Sequence, residues 1–270
     1  MKSTKQLAGV ALLALAAGIA GTLSSSAAVV ADPENGDIFL GFRAEGGTGG
    51  ATSYLINLGQ STQFQNAAPG ATIELSLGNI AADLAATYGS GWADRADLHW
   101  GIFGVRNSSS PLLYSSQGRS DVETQGPGWN ALDLASRTGT ASQISSVIEQ
   151  IGGFRGQQTT PNTLTGVFQA NTSAASSYAK QVATAGTTDF GSLSQWGSIE
   201  GNFGTGTEGT VLDFYRFSGS STSPVSYLGN FSITDSGTIS FTAVPEPSAA
   251  LLGGLGTFLL LGRRRRAAAL

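Results

Sequence analysis

His99 is the only histidine in a chain of 270 residues, and so the only general base of its kind. Asp97 lies two positions before it and Asp94 three before that. In an extended strand, residues two apart share a face, so Asp97 and His99 can touch. A hydrolytic triad needs such a pair beside a serine. No Gly-x-Ser-x-Gly turn surrounds any serine here, so His99 reads first as a structural or surface side chain. Paired carboxylates cleave glycosidic bonds. Glu74, Asp83, Asp94, Asp97, Asp121, Glu123 and Asp133 have the right chemistry, but no spacing singles out two of them, and a solvated acidic surface is the simpler reading. Asp32, Glu34, Asn35 and Asp37 around Gly36 offer oxygens suited to Ca²⁺, but without EF-hand order. Trp92, Trp100, Trp129 and Trp196 can stack on sugars or fill a core, and core packing is the first expectation. With no Cys and a single His, thiolate and multi-His metal sites are excluded. No Walker loop is present. The sequence therefore assigns no catalytic, cofactor-binding or metal-binding residue and implies no cofactor.

Charge is distributed in a way that the formal net value of −4 conceals. Between Asp32 and Val244 stand 8 basic and 17 acidic residues, a net of −9. Lys2 and Lys5 lie at one extreme of the chain and Arg263, Arg264, Arg265 and Arg266 at the other. An acidic middle lacks the clustered Lys and Arg that displace counterions from phosphates, so no nucleic acid is expected as a partner. Only 12% of residues are charged, while 40% are hydrophobic, which disfavours disorder driven by charge.

The N-terminus has the pattern of a secretory signal peptide. Lys2 and Lys5 give a positive start, and Leu7 to Leu23 is apolar and uncharged. A run of Ser and Ala follows. Val29-Val30-Ala31 places small residues for cleavage between Ala31 and Asp32, with Ser26-Ala27-Ala28 as an alternative. Residues 1–31 are read as a signal peptide removed by signal peptidase. An exported chain without cysteine must hold its fold by its core alone.

The C-terminus carries the most specific pattern. Val244-Pro245-Glu246-Pro247-Ser248 precedes an uncharged stretch, residues 249–262, and then Arg263 to Arg266. As a helix that stretch would span about 21 Å, short for a hydrocarbon core of about 30 Å. Four arginines directly after it act as a stop-transfer cluster that holds this end on the cytoplasmic side. This arrangement resembles the PEP-CTERM sorting signal of Gram-negative bacteria. The resemblance covers 27 residues, 244–270. It implies recognition by an exosortase, a membrane transpeptidase-like enzyme, near Pro245-Glu246-Pro247. It also implies transient residence in the inner membrane, and association with extracellular polysaccharide and biofilm matrix. On this reading the motif is a substrate for processing. The opening DIFLGFRA and the stretch 91–101 are similar, more loosely, to ectodomains of PEP-CTERM proteins of the Verrucomicrobia type.

The elements that must position these residues follow from periodicity. Ile38–Phe42 is a short apolar run, read as a buried strand, followed by a Gly-rich loop at 45–50. Tyr54, Ile56, Leu58 and Ile73, Leu75, Leu77 alternate as strands do. Residues 79–89 read as a helix, 98–105 and 112–114 as strands, and 211–217 as a strand with alternating faces. Ile144, Val147, Ile148 and Ile151 have helical spacing, and Gly152-Gly153 stops that helix. Ser173 to Ala183 reads as a weaker helix. Residues 227–234 and 238–243 flank Asp235-Ser236-Gly237, a hairpin turn. The stretches 155–175 and 184–209 are read as loops. Residues 32–243 thus form one exported ectodomain of α+β class, mainly antiparallel β and sandwich-like, with a few inserted helices. A signal peptide precedes it and a C-terminal transmembrane helix follows.

The expectation is an exported, non-enzymatic cell-surface or extracellular-matrix protein. An inner-membrane-anchored precursor would be sorted by an exosortase to the cell surface or matrix. The rival is an exported glycan-active hydrolase carrying the same tag.

Overall fold

The computed structural model describes residues 33–152, 157–159, 162–163, 165–170, 172–182, 190–191, 193, 198–204, 210–219 and 225–244. Among them are eleven strands and four α-helices. In chain order these are β1 (Asp37–Ala44), β2 (Ser53–Gln60), α1 (Ser61–Gln65), β3 (Thr72–Leu75), α2 (Ile80–Tyr88), β4 (Leu98–Arg106), β5 (Leu112–Gly118) and α3 (Leu134–Gly152). They continue with β6 (Gln157–Thr159), β7 (Gly166–Gln169), α4 (Tyr178–Val182), β8 (Glu200–Asn202), β9 (Val211–Phe217), β10 (Ser226–Ile233) and β11 (Ile239–Ala243). The fold is mostly antiparallel β with few helices, as the sequence implies. All strands belong to one sheet, curled into a half-barrel, in the order β3-β11-β10-β9-β5-β4-β1-β2-β7-β6. β8 pairs with β4 outside that path.

The middle of the sheet is buried on both faces. Every residue of β1 is buried, which is why its sequence is a nearly continuous apolar run rather than an alternation. One face carries Leu40, Phe42, Tyr54, Ile56, Trp100 and Ile102 under α1 and α2. The same cluster reaches across to Phe214, Phe231 and Phe241 of β9, β10 and β11. Phe64 of α1 meets these three edge-on, with ring centroids 5.1 to 6.0 Å apart, the geometry that aromatic quadrupoles favour. The opposite face carries Phe39, Leu55, Phe103, Leu113 and Phe217, packed against Ile144, Val147 and Ile151 of α3 and against α4. Toward β10 and β11 that second face opens to solvent, and β11 and the last five residues of β10 return to alternation of buried and half-exposed residues.

Two joints hold the frame. Asp133 caps α3, accepting the Ser136 N–H at 2.7 Å, and the Ser136 N–H is the main reason its carboxyl lies below the usual range. Where β4 and β5 part, β8 enters between them. There the Ser116 hydroxyl accepts the Ile102 N–H at 2.7 Å and lies 2.6 Å from the Ile199 carbonyl oxygen, to which it donates.

The sequence reading needs correction in three places. The stretches expected to be loops contain β6, β7 and β8. These strands hold three or four residues each, too few to show a period, and pairing fixes them: β7 on β2, β6 on β7 and β8 on β4. The helix expected over 173–183 starts only at Tyr178, because Ser177 caps it by accepting the Lys180 N–H at 3.1 Å, and it is described to Val182. The short helix α1 has no recognisable periodic signal in five residues. Among the described residues no helix is long and apolar enough to cross a membrane. The signal peptide expected over residues 1–31 and the span expected over 249–262 lie outside the described residues.

Candidate functional site

The side chains with the most chemistry converge on one face of the central strands. β1 and β4 run antiparallel with Arg43 opposite His99 and Gly41 opposite Gly101. β8 lies on the other side of β4, with Glu200 opposite Gly101 and Asn202 opposite His99. Arg43, His99 and Glu200 therefore form one neighbourhood. The two glycines leave a flat shelf, and the ring of Tyr178 from α4 lies on it. A methyl group at Gly41 would sit 2.7 Å from that ring, and one at Gly101 2.8 Å from its hydroxyl. The ring also stacks on Phe103 at 5.3 Å.

The Tyr178 hydroxyl donates to Glu200 Oε1 at 2.7 Å. Arg43 donates to the same carboxylate, from Nε to Oε2 at 2.9 Å and from Nη2 to Oε2 at 2.6 Å. Arg43 and Glu200 side chains are only 4% and 1% exposed. Burial pushes the Glu200 carboxyl up, and the Arg43 guanidinium and the Tyr178 hydroxyl oppose it. Burial alone would lower Arg43, yet the Glu200 carboxylate holds it above its ordinary value. Both charges have partners, which is the condition under which a buried pair is tolerated.

His99 sits at the rim of this cluster, its side chain 16% exposed. Its Nε2 lies 3.3 Å from Glu45 Oε1, without the alignment of a hydrogen bond. Burial lowers its pKa; Arg43 adds to that, while Glu200, Glu45 and Asp97 oppose it. The expected Asp97–His99 contact is replaced by another. The Asp97 carboxylate takes the Arg95 guanidinium at 2.7 and 2.9 Å, and that hydrogen bond is what holds its carboxyl below the usual range. Arg95 also donates to the carbonyls of Gly46, Thr48 and Tyr88, tying down the Gly-rich loop. Asp97 is thus a loop anchor, not the orienting partner of a base.

The remaining candidates are dispersed. Asp83 is buried under hydroxyls and an amide, from Tyr54, Thr163 and Asn162. Asp133 is the helix cap, Glu74, Asp94, Asp121 and Glu123 are exposed, and no two of the seven acids are brought together around a cleft. Asp37 accepts the Glu34 N–H and the Asn57 and Gln60 amides, and Asn35 is paired with Asn107, so these oxygens are engaged within the fold. Among the described residues no group of three acidic or His side chains is placed to hold a metal ion. Trp92, Trp100 and Trp129 are buried, as core packing requires, and present no stacking platform. Trp196, the expected cleavage residues Ala31 and Asp32, the expected sorting motif Pro245, Glu246, Pro247 and Ser248, and Arg263 to Arg266 lie outside the described residues. Val244 is the last residue described; it is 37% exposed, with its N–H donated to the Leu228 carbonyl.

Sequence reasoning missed Arg43, Tyr178 and Glu200. A signal existed for the shelf: single glycines inside two apolar strands, DIFLGFRA and LHWGIFGVR, mark close approach of another group. The arrangement is an internal lock that joins β1, β4, β8 and α4. No protein-family model matches the chain, and searches of curated proteins and of solved structures return no match.

Proposed function

We propose that this protein is an exported, non-enzymatic component of the cell surface or extracellular matrix. In this reading residues 244–270 are the substrate of an exosortase, and the membrane span at 249–262 is a temporary anchor. The observation that carries it is the order Pro245-Glu246-Pro247, uncharged stretch, four arginines, behind a signal-peptide pattern. The fold is compatible with that order. β11 ends at Ala243, and Val244 emerges exposed, so the motif follows directly on the last strand of the sheet. The ectodomain is a cysteine-free antiparallel sheet with helices over each face of its central strands, held by its core alone.

Intact mass of the protein from its own host tests the reading. The wild type is expected to lack both residues 1–31 and the arginine tail, and a variant with Pro245, Glu246 and Pro247 replaced by alanine is expected to keep the tail. A wild type that retains Arg263 to Arg266 defeats it.

A further inference from the structure

The ladder between β3 and β11 ends at Leu75 opposite Ile239. Beyond it the two chains diverge. Residues 76–78 turn toward the start of α2, and residues 236–238 form the β10–β11 turn. Between them lies an open cleft of about 230 Å³. Glu74, Ser76, Ser236 and Thr238 supply its polar groups, and Leu75 and Ile80 are among its apolar ones. No Lys, Arg or aromatic residue is among its lining residues. Gly237 is held at φ 77° there, and a methyl group on it would meet the Ala81 nitrogen at 2.6 Å, so the turn seats directly on α2.

The cleft opens onto the solvent-facing side of the sheet. Glu74 stands opposite Ser240, and the hydroxyls of Ser232 and Ser240 lie 2.8 Å apart across β10 and β11. The next row pairs the hydroxyls of Thr72 and Thr242 at 3.1 Å. Glu74 thus belongs both to the cleft and to a row of neutral hydroxyls.

We propose that this cleft and the hydroxyl rows beside it bind an uncharged, hydroxyl-rich polymer, a neutral polysaccharide, one ring in the cleft and its neighbours along β3, β11 and β10. A carboxylate accepts hydrogen bonds from two adjacent sugar hydroxyls, and such charge-assisted bonds are the strong ones. Each Ser or Thr hydroxyl both donates and accepts, as sugar hydroxyls do. The leucine and isoleucine side chains beneath the cleft belong to the buried core, so its exposed lining is polar. Glu74 repels phosphate, sulfate and uronate groups, and no cation in the lining offsets it. The volume lies below the range of about 300–1,000 Å³ typical of pockets for larger ligands, which suits one ring. The inference rests on the reading of an exported matrix protein only for where the polymer is met; the chemistry of the cleft stands apart from sorting.

The test is affinity electrophoresis of the full chain, in a detergent without a sugar headgroup, through native gels containing dextran, galactomannan, xyloglucan or alginate. At least one neutral polymer is expected to retard the wild type, with alginate inert. Glu74→Gln is expected to weaken retardation roughly tenfold, as loss of a charged hydrogen-bond acceptor implies. The double variant Ser236→Ala, Thr238→Val is expected to weaken it as well, and Asp235→Asn, an exposed carboxylate outside the cleft, to leave it unchanged. All these positions are surface ones, and equal melting temperatures confirm intact folding. The proposal is overturned if no neutral polymer retards the protein, if alginate alone does, or if Glu74→Gln and the double variant migrate as the wild type. Sorting is read independently by intact mass, so failure of one does not imply failure of the other.

Discussion

The central strands and the β3–β11–β10 end of the same sheet treat polar side chains in opposite ways. Around β1, β4 and β8, Arg43, Glu200, Tyr178 and Ser116 are sealed between two hydrophobic clusters, and each bonds a partner inside the protein. Around β3, β11 and β10, Glu74, Ser232, Ser240, Thr72 and Thr242 face water on one side of the sheet. A buried polar group is costly without a partner, so in the centre it must be locked. At the open end water supplies the alternative, and the same residue types remain able to meet a ligand. The residues with the most chemistry are thus engaged in holding the sheet together, and those facing solvent at the open end are cross-strand pairs of hydroxyls and the carboxylates of Glu74 and Asp235.

The largest effect should come from unlocking the centre. Glu200→Ala leaves the Arg43 guanidinium buried without its carboxylate, and loss of one member of such a pair costs about 3–5 kcal/mol. A drop of that size in urea-derived stability is expected, against no measurable change for Glu74→Ala. Equal losses at the two glutamates would erase the contrast between the regions. Next comes the shelf beneath Tyr178. Gly41→Ala forces a methyl group into the ring, an overpacking expected to cost about 1–3 kcal/mol. Tyr178→Leu in the same chain removes the ring and should relieve part of that cost in a double-mutant cycle; strict additivity would show that the ring is not what the glycine accommodates.

A sharper comparison makes the same substitution in both regions. Ser116→Ala strips the partner from the Ile102 N–H and the Ile199 carbonyl at the fork of β4 and β5, where water is excluded. Leaving such groups unsatisfied costs about 1–3 kcal/mol. Ser240→Ala removes a hydroxyl whose neighbour Ser232 can turn to solvent, and a surface change of this kind stays within about 0.5 kcal/mol. Thermal melts of the two variants should differ accordingly, and a costly Ser240→Ala would make the hydroxyl rows structural rather than available.

Much of this frame was legible from residue pattern. β1, β2, β4, β9 and the β10–β11 hairpin announce themselves by apolar runs, alternation or Asp-Ser-Gly, because each is long enough to show a period or a turn. β7 and β8 do not: Gly166–Gln169 has four residues and Glu200–Asn202 three, too few to show a period, and both are made strands by neighbours more than 90 residues away in sequence. The lock was hidden for the same reason, since Arg43 and Glu200 stand 157 positions apart. Position in sequence associated His99 with Asp97, whereas the alternative partner available to Asp97, Arg95, sits two residues before it and captures it first. The cleft is equally unreadable from the chain, because Glu74 and Ser236 meet only after β3 joins β11.

The smallest expected effect tests the boundary of the sealed centre, at His99. Its folded pKa lies below the ordinary value of 6.5, chiefly because burial disfavours the imidazolium. The groups facing it are Arg43 and Glu45 of β1 and its extension, Glu200 of β8, and Asp97 ahead of its own strand. The unfolded chain takes up the proton near 6.5, while the native protein takes it up only at lower pH. In that window the unfolded state holds more protons, so stability falls as pH falls below about 6.5 and is fully present above it. Asp97, held down by Arg95, acts in a lower window, losing its contribution only as pH falls below the ordinary carboxylate range, so the two are separable. Melting temperature followed from pH 8 to pH 5 should decline in the wild type and be flatter in His99→Gln, with Asp97→Asn retaining the decline. A His99→Gln curve parallel to the wild type would show that the rim of the cluster is as wet as the β3–β11–β10 end, and would move the border between the two regions inward to Arg43.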